Sequence, residues 1–264
     1  MPVMYPPYPP KKRLGFTASV MILLGQLTIA SQASTAQLEE IVITAALMKA
    51  DINHLSVTSV TERDVRARGA AHFEDLLTLV PNLSASAGAS RQRFFQIRGI
   101  GERSQFVEPI NPSVILLQDG IDISGLGSAL TTFDTSQVDV FRGPQGAIMG
   151  AGALAGLISI ETQPPTGDAK LSVAMGMENY SGRRLEVVAN APLSNTLSAR
   201  LAHQRFASDG WIENTYLGVD DTNNRDEQTT RFALRHVSGQ HSVDMKVNKV
   251  DVKNGYDAFS LDNT

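Results

Sequence analysis

From Ala169 onward the chain alternates polar and apolar residues through five separate segments, with no helical period between them. Lys170, Ser172 and Ala174 alternate with Leu171, Val173, Met175 and Met177; Arg184, Glu186, Val188 and Asn190 alternate with Leu185, Val187, Ala189 and Ala191. Ser198, Arg200 and Ala202 then face away from Leu197, Ala199 and Leu201, Arg231, Ala233 and Arg235 from Phe232 and Leu234, and Asp244, Lys246 and Asn248 from Val243, Met245 and Val247. A period of two predicts extended strands with two unlike faces. The connections are short at 179–182, 192–195 and 238–240 and long at 208–227, so antiparallel neighbours put the long, Asn- and Asp-rich connection at one end and two tight turns at the other. Transmembrane barrels share that asymmetry, and a water-soluble antiparallel sheet is the alternative.

A second constraint lies upstream. Val138 to Phe141 and Leu157 to Ile160 are β-prone runs flanking Gly143, Gly146, Gly150, Gly152 and Gly156, which reads as strand, tight glycine turns, strand. A nucleotide loop is disfavoured, because a dinucleotide site needs a helix directly after its glycines and here a strand pattern follows; no Gly-Lys-Ser/Thr occurs either. The net charge of -4, with no basic stripe, argues against nucleic acid. Cysteine is absent, which removes disulfides and thiol chemistry, and no histidine spacing suits a metal: His203, His236 and His241 lie on or beside the alternating strands.

The N-terminus has the order of a secretory signal. Lys11, Lys12 and Arg13 precede an apolar stretch from Leu14 to Ala30 and a small-residue tract from Ser31 to Ala36. Cleavage after Ala36 would give residues 1–36 as signal peptide, with a cut after Ala33 as the alternative, and an uncleaved anchor as the competing layout. Next comes Glu40, Ile41, Val42, Ile43, Thr44 and Ala45, a β-prone strip with no hairpin partner nearby. Such a strip can add itself to another protein's sheet edge, or be the first strand of the domain that follows.

Residues 47–165 read as a small α+β domain. Val57 to Thr61 is a strand, Thr61 an N-cap, Glu62 to Arg68 a short helix closed by Gly69, and His72 to Val80 a second helix stopped by Pro81. Phe94 to Arg98, Ser113 to Gln118 and Val138 to Phe141 supply strands, Asp119 and Gly120 a turn, and Gly99 to Pro112 an irregular surface loop.

Taken together, these segments resemble a TonB-dependent outer-membrane receptor. Residues 37–46 look like that family's TonB box; Gln96 to Gly101, with Arg98 and Gly99, and Leu117 to Ile121, with Asp119 and Gly120, look like two plug-domain motifs. Phe141 to Gly146, with Arg142, Gly143 and Pro144, running on through Gly150 and Gly156 to Ile160, looks like a third. Met149 stands where the family usually has an aromatic, and Ala155 with Gly156 where it usually has two glycines. The resemblance implies an α+β plug domain followed, over 169–264, by antiparallel strands of an incomplete transmembrane β-barrel. Family members close about 22 strands around the plug, so the chain is expected to be a fragment or a truncated product.

The resemblance also implies a function. The expected protein is no enzyme and carries no cofactor; it sits in the outer membrane of a Gram-negative cell, in contact with lipid, and takes up a scarce solute such as a ferric siderophore. A TonB-type energy-coupling protein would pair with Ile41 to Ala45 and pull the plug. Arg98 and Arg142 either pair with acids on the inner barrel wall or bond groups within the plug. A soluble periplasmic plug-like binding domain without a pore is the alternative; it predicts that 169–264 folds in water, whereas the receptor reading turns Leu171, Val173, Leu185, Val187, Leu201, Phe232 and Leu234 outward as an apolar band.

The TonB-box reading has a direct test. Ile43→Pro removes a backbone donor from the added strand, so pull-down by the coupling protein should be lost while the plug stays folded; unchanged capture would refute the assignment.

Overall fold

The computed structural model describes residues 56–86, 91–104, 107–215 and 218–255. The signal peptide and TonB box expected at 1–46 lie outside the described residues.

The α+β domain begins with strand β1 (Val57–Thr61) and helix α1 (Glu62–Arg68). Thr61 caps α1 in both directions: its hydroxyl accepts from the Asp64 amide while the Asp64 carboxylate accepts from the Thr61 amide and hydroxyl. Those bonds hold the Asp64 carboxyl below its ordinary range. Gly69, at φ 65°, ends the helix in a left-handed turn. The helix expected at 72–80 is a 3-10 helix, Phe73–Leu79, whose Phe73 and Leu76 are buried.

Strands β2 (Leu83–Ala85) and β3 (Phe95–Ile97) form a small antiparallel pair. The main sheet adds β4 (Val114–Gln118), β5 (Ile121–Asp122), β6 (Thr135–Arg142) and β7 (Gly156–Thr162) in the order β1-β6-β7-β4-β5. All its pairs are antiparallel except β4 with β7. Val60, Leu116, Val138, Val140, Ile158 and Ile160 fill one side of it with Val65, Phe73 and Leu76; Ile115, Leu117, Phe141, Ala153 and Leu157 fill the other. Phe73 meets Phe95 edge to face at 4.8 Å.

The glycine-rich run between β6 and β7 holds one helical turn, α2 (Gly146–Met149), which the sequence reading had as turns alone. Two of its glycines are required for different reasons. Gly150 sits at φ 72°. Gly156 lets strands meet, because a Cβ there would stand 2.2 Å from the Phe141 carbonyl oxygen and 2.6 Å from Ile97 Cδ1.

Two plug-motif turns share one geometry. Arg98 (φ 54°) with Gly99 (φ 79°), and Asp119 (φ 51°) with Gly120 (φ 81°), put two consecutive residues at positive φ. That is the type I′ hairpin connection, whose twist matches the flanking strands.

Beyond the domain, β8 (Lys170–Glu178), β9 (Gly182–Pro192), β10 (Leu197–Ser208), β13 (Arg225–Ser238) and β14 (His241–Val252) form an antiparallel meander. The strands run longer than their alternating cores. The long connection carries a hairpin of its own, β11 (Ile212–Asn214) with β12 (Val219–Thr222), which the sequence reading missed. Register places Leu201 opposite both Ala189 and Phe232, and Leu171 opposite Ala189. Leu171, Val173, Met175, Leu185, Leu201, Val243, Met245 and Val247 therefore share one face, and all are exposed. The opposite face buries Asn190, Ala202, Gln204, Phe206, Glu227, Thr229 and Arg231 against the α+β domain.

The close approach at Gly156 is tested against a glycine of the same run that has open space around it. Gly156→Ala should cost about 1–3 kcal/mol of unfolding free energy through overpacking. Gly146→Ala, with nothing within 4 Å of the added methyl, should be neutral or stabilising by up to about 1 kcal/mol. Denaturant melts of the two variants compare them directly.

Candidate functional site

The chemistry of the chain concentrates where the α+β domain meets the inner face of the meander. Period-two alternation sends Arg200 of β10, Glu227 and Arg231 of β13 and Lys246 of β14 inward, and the domain meets them with its own loops and hairpin turns.

The most buried cluster centres on Glu227 of β13. Its Oε1 accepts from Arg91 Nη2 at 2.7 Å and from Asn254 Nδ2 at 2.6 Å, and its Oε2 lies 3.0 Å from His72 Nε2. Arg91 Nη1 lies 2.9 Å from His72 Nδ1. Arginine can only donate, so Nδ1 accepts and the ring proton sits on Nε2, facing Glu227. His72 and Arg91 belong to the domain and Glu227 to the meander, so this triad joins the two. Glu74 extends it: one carboxylate oxygen stands 3.6 Å from Arg91 Nε and 3.6 Å from Arg225 Nη2.

The other contacts have the opposite polarity, with the cation on the meander. Arg200 grips Asp134 with two bonds, Nε to Oδ2 at 3.0 Å and Nη2 to Oδ1 at 2.5 Å. Lys246 Nζ lies 2.5 Å from Asp119 Oδ1. Asp119 is held for that contact by its hairpin turn and by the Thr162 amide and hydroxyl, which donate to it at 2.9 Å. Arg231 donates to the Phe133 carbonyl and, at 3.2 Å, to that of Thr131, while its Nε is buried with no hydrogen-bond partner among the described residues. Asn190 of β9 clasps the segment joining the two parts through the Thr166 amide and the Thr166 and Asp168 carbonyls.

A cavity of about 310 Å³ lies in this interface, lined among others by Asp119, Asp134, Thr162, Arg200, Arg231 and Lys246. Next to it Glu161 has its carboxyl raised above the ordinary range by burial first and by the Asp119 charge second, with Lys246 opposing. Folding thus makes this carboxyl easier to protonate than it is in the unfolded chain. That contribution is complete below the ordinary carboxylate range and is lost as pH rises through the raised value. A second hollow of about 360 Å³ lies at the end of the sheet carrying the long connection, between Tyr180, Phe206, Trp211 and Arg225.

The plug-motif residues fall into separate places. Asp119 reaches the meander, and Gly120 completes its turn. Arg98 is exposed at its turn beside Gly99, and Arg142 ends β6 half-buried with Nε unpartnered; neither makes an ion pair among the described residues. Gly143, Pro144, Gly146 and Gly150 shape the loop around α2, away from the charged contacts. Arg91, His72, Glu74, Glu227, Arg200 and Arg231 were not singled out as site residues by sequence. Alternation gave Arg200 and Arg231 their face, but nothing local signalled their partners. Among the described residues no group of three or more His, Cys, Asp or Glu side chains could hold a metal.

Residues 53–157 match the family model of the TonB-dependent receptor plug domain. The chain is 27% identical over 198 residues to the pesticin receptor of Yersinia pestis, covering 72% of this chain and 29% of that protein. It is 25% identical over 187 residues to the vitamin B12 transporter BtuB of Vibrio vulnificus, covering 69% and 29%. Among solved structures, the ferric yersiniabactin uptake receptor FyuA of Yersinia pestis superposes with TM-score 0.63 at 24% identity, over 71% of this chain and 30% of that one. The closed form of the ferric-catecholate import receptor Fiu of E. coli K12 gives TM-score 0.63 at 20% identity, over 76% and 27%. The chain thus spans less than a third of the length of these relatives.

Glu227→Ala would remove the carboxylate that Arg91 and His72 share in a buried site. Loss of one partner from such a cluster should cost roughly 3–5 kcal/mol, read as a lower melting temperature of the detergent-solubilised protein. An unchanged transition would show that the triad does not hold the domain to the sheet.

Proposed function

Because the chain belongs, through its plug domain, to the TonB-dependent receptor family, we propose that it works in energised uptake of a scarce solute, such as a ferric siderophore, across a Gram-negative outer membrane. The observation that carries this reading is the two-sided meander. Its inner face is charged and closed off by the plug, and its outer face carries a band of apolar side chains, exposed at Leu171, Val173, Met175, Leu185, Leu201, Val243, Met245 and Val247 and half-buried at Val187, Phe232 and Leu234. A contiguous apolar surface of that kind is costly in water and suits lipid. The same band argues against a soluble periplasmic domain, for which the outer face of the sheet would be polar.

In this reading residues 1–36 direct export, and 47–165 plug the lumen of a barrel to which 169–264 contributes strands. The strip Glu40 to Ala45 offers itself to the TonB-type coupling protein by strand addition. The ligand approaches at the end of the sheet with the long connection, where Trp211 and Tyr180 stand exposed, 5.8 Å apart between ring centroids. Force on the box then has to break the interface contacts in sequence before the plug can move. Arg98 and Arg142 remain candidates for wall contacts of their own, since each carries a charge without an ion-pair partner among the described residues.

The test is uptake from the chain's natural locus. Iron-starved cells should accumulate radiolabelled ferric chelate, and a protonophore or the Ile43→Pro change should reduce accumulation to the level of cells lacking the gene. Uptake that survives both treatments would overturn energised transport.

A further inference from the structure

We infer that the solute this wall passes is an anion, guided by inner-face cations that the plug's own carboxylates cover while the receptor is closed. The inference rests on the uptake reading above and goes on to name the solute's charge.

The asymmetry lies in who neutralises whom. On the inner face some charges are satisfied within the sheet: Arg235 pairs with Asp244 at 2.7 Å and Arg184 with Glu178 at 2.5 Å. These pairs remain whatever the plug does. The others are satisfied from the plug. Among the described residues, the carboxylates within ion-pair reach of Arg200, Lys246 and Arg225 are Asp134, Asp119 and Glu74, all plug residues, and Arg231 is met by plug carbonyls. Among the described residues Glu227 alone offers the reverse, a sheet carboxylate matched by plug cations.

Displacing the plug would therefore bare four cations and one anion on this stretch of wall. They are not scattered. Arg200, Arg231 and Lys246 line one cavity, and Arg225 lies on the same face of the same strand as Arg231, at the ligand-approach end. An anionic solute entering there would meet Arg225 first, pass Glu227, which stands between it and Arg231 on the same strand face, and then reach the cluster of Arg200, Arg231 and Lys246. A cationic one would be repelled. In a narrow, low-dielectric channel such charge lines raise the local concentration and entry rate of the matching ion by ten- to a thousandfold, that is by roughly 10–10³.

No cysteine occurs among these 264 residues, so labelling is counted as the increment over the same protein without the introduced thiol. Ala233 is buried on the inner face, directly opposite Lys246. In Ala233→Cys, labelling by a negatively charged sulfonatoethyl methanethiosulfonate is compared with labelling by a positively charged trimethylammonioethyl one. Both rates are normalised to Thr215→Cys, exposed in the turn between β11 and β12 at the ligand-approach end. The comparison uses iron-starved, energised cells, with protonophore-treated cells as the closed reference.

The expected result is labelling only in energised cells, with a normalised preference for the anionic reagent of about tenfold or more. That preference should collapse in Lys246→Gln, return in Lys246→Arg, and shrink in high salt. Lys246 is chosen because it is only half-buried; Arg231→Gln is the sharper variant where it folds. Labelling in energised cells with no charge preference would overturn the anion track while leaving plug displacement standing. No labelling in energised cells would overturn plug displacement, and the track with it.

Discussion

One constraint organises the molecule: a sheet apolar on one face and charged on the other has no medium that suits both. Water would solvate Arg200, Arg231 and Lys246 but expose Leu171, Val173, Met175 and Val247; lipid would do the reverse. The plug resolves this by acting as a polar solvent of fixed shape for the inner face. Its Asp119 and Asp134 carboxylates, and the carbonyls of Thr131 and Phe133, take the place of water around the wall's cations. Buried ion pairs of this sort add little net stability over an apolar contact, but losing one partner is expensive. The interface therefore specifies one docked arrangement and penalises partial separation.

The division of labour between turn and side chain follows from that. Asp119 lies in a two-residue hairpin whose positive φ at both positions fixes the direction of its carboxylate. Thr162 then donates twice to it, so that Lys246 meets a group already held in place. Asp134 is likewise at positive φ, 53°, and takes the Arg200 fork in the bidentate geometry that a rigid carboxylate permits. Asp119 is thus held inside the plug by its turn and by Thr162, whereas the bonds to the Asp134 carboxylate come from Arg200 of the sheet.

Much of this was legible in the sequence, and the limits are physical. The Thr61 N-cap, Gly69, and the strands around the glycine-rich run are local signals, and they emerged where local chemistry put them; the reciprocal bond to the Asp64 carboxylate was added by the structure. The two faces of the meander were legible too, because alternation decides which side a residue takes. Partnership was not. Arg91 finds Glu227 across 136 residues and Arg231 finds the Phe133 carbonyl across 98, and no spacing in one chain encodes such encounters. The hairpin inside the long connection was hidden for another reason: three- and four-residue strands are too short to show a period. The Arg98 and Arg142 motifs drew attention as charges, whereas the shape of the first is that of its turn, with Gly99 completing the hairpin.

One carboxylate also ties the two kinds of contact together. Glu74 stands equally far, 3.6 Å, from Arg225 on the sheet and from Arg91 in the buried triad. At that separation neither is a tight pair, so the carboxylate is shared. The end of the sheet that carries the long connection is thereby joined, through Glu74, to the cluster of Arg91, His72 and Glu227. Groups that share a partner in this way do not contribute independently, so the loss of one arginine changes what the other is worth.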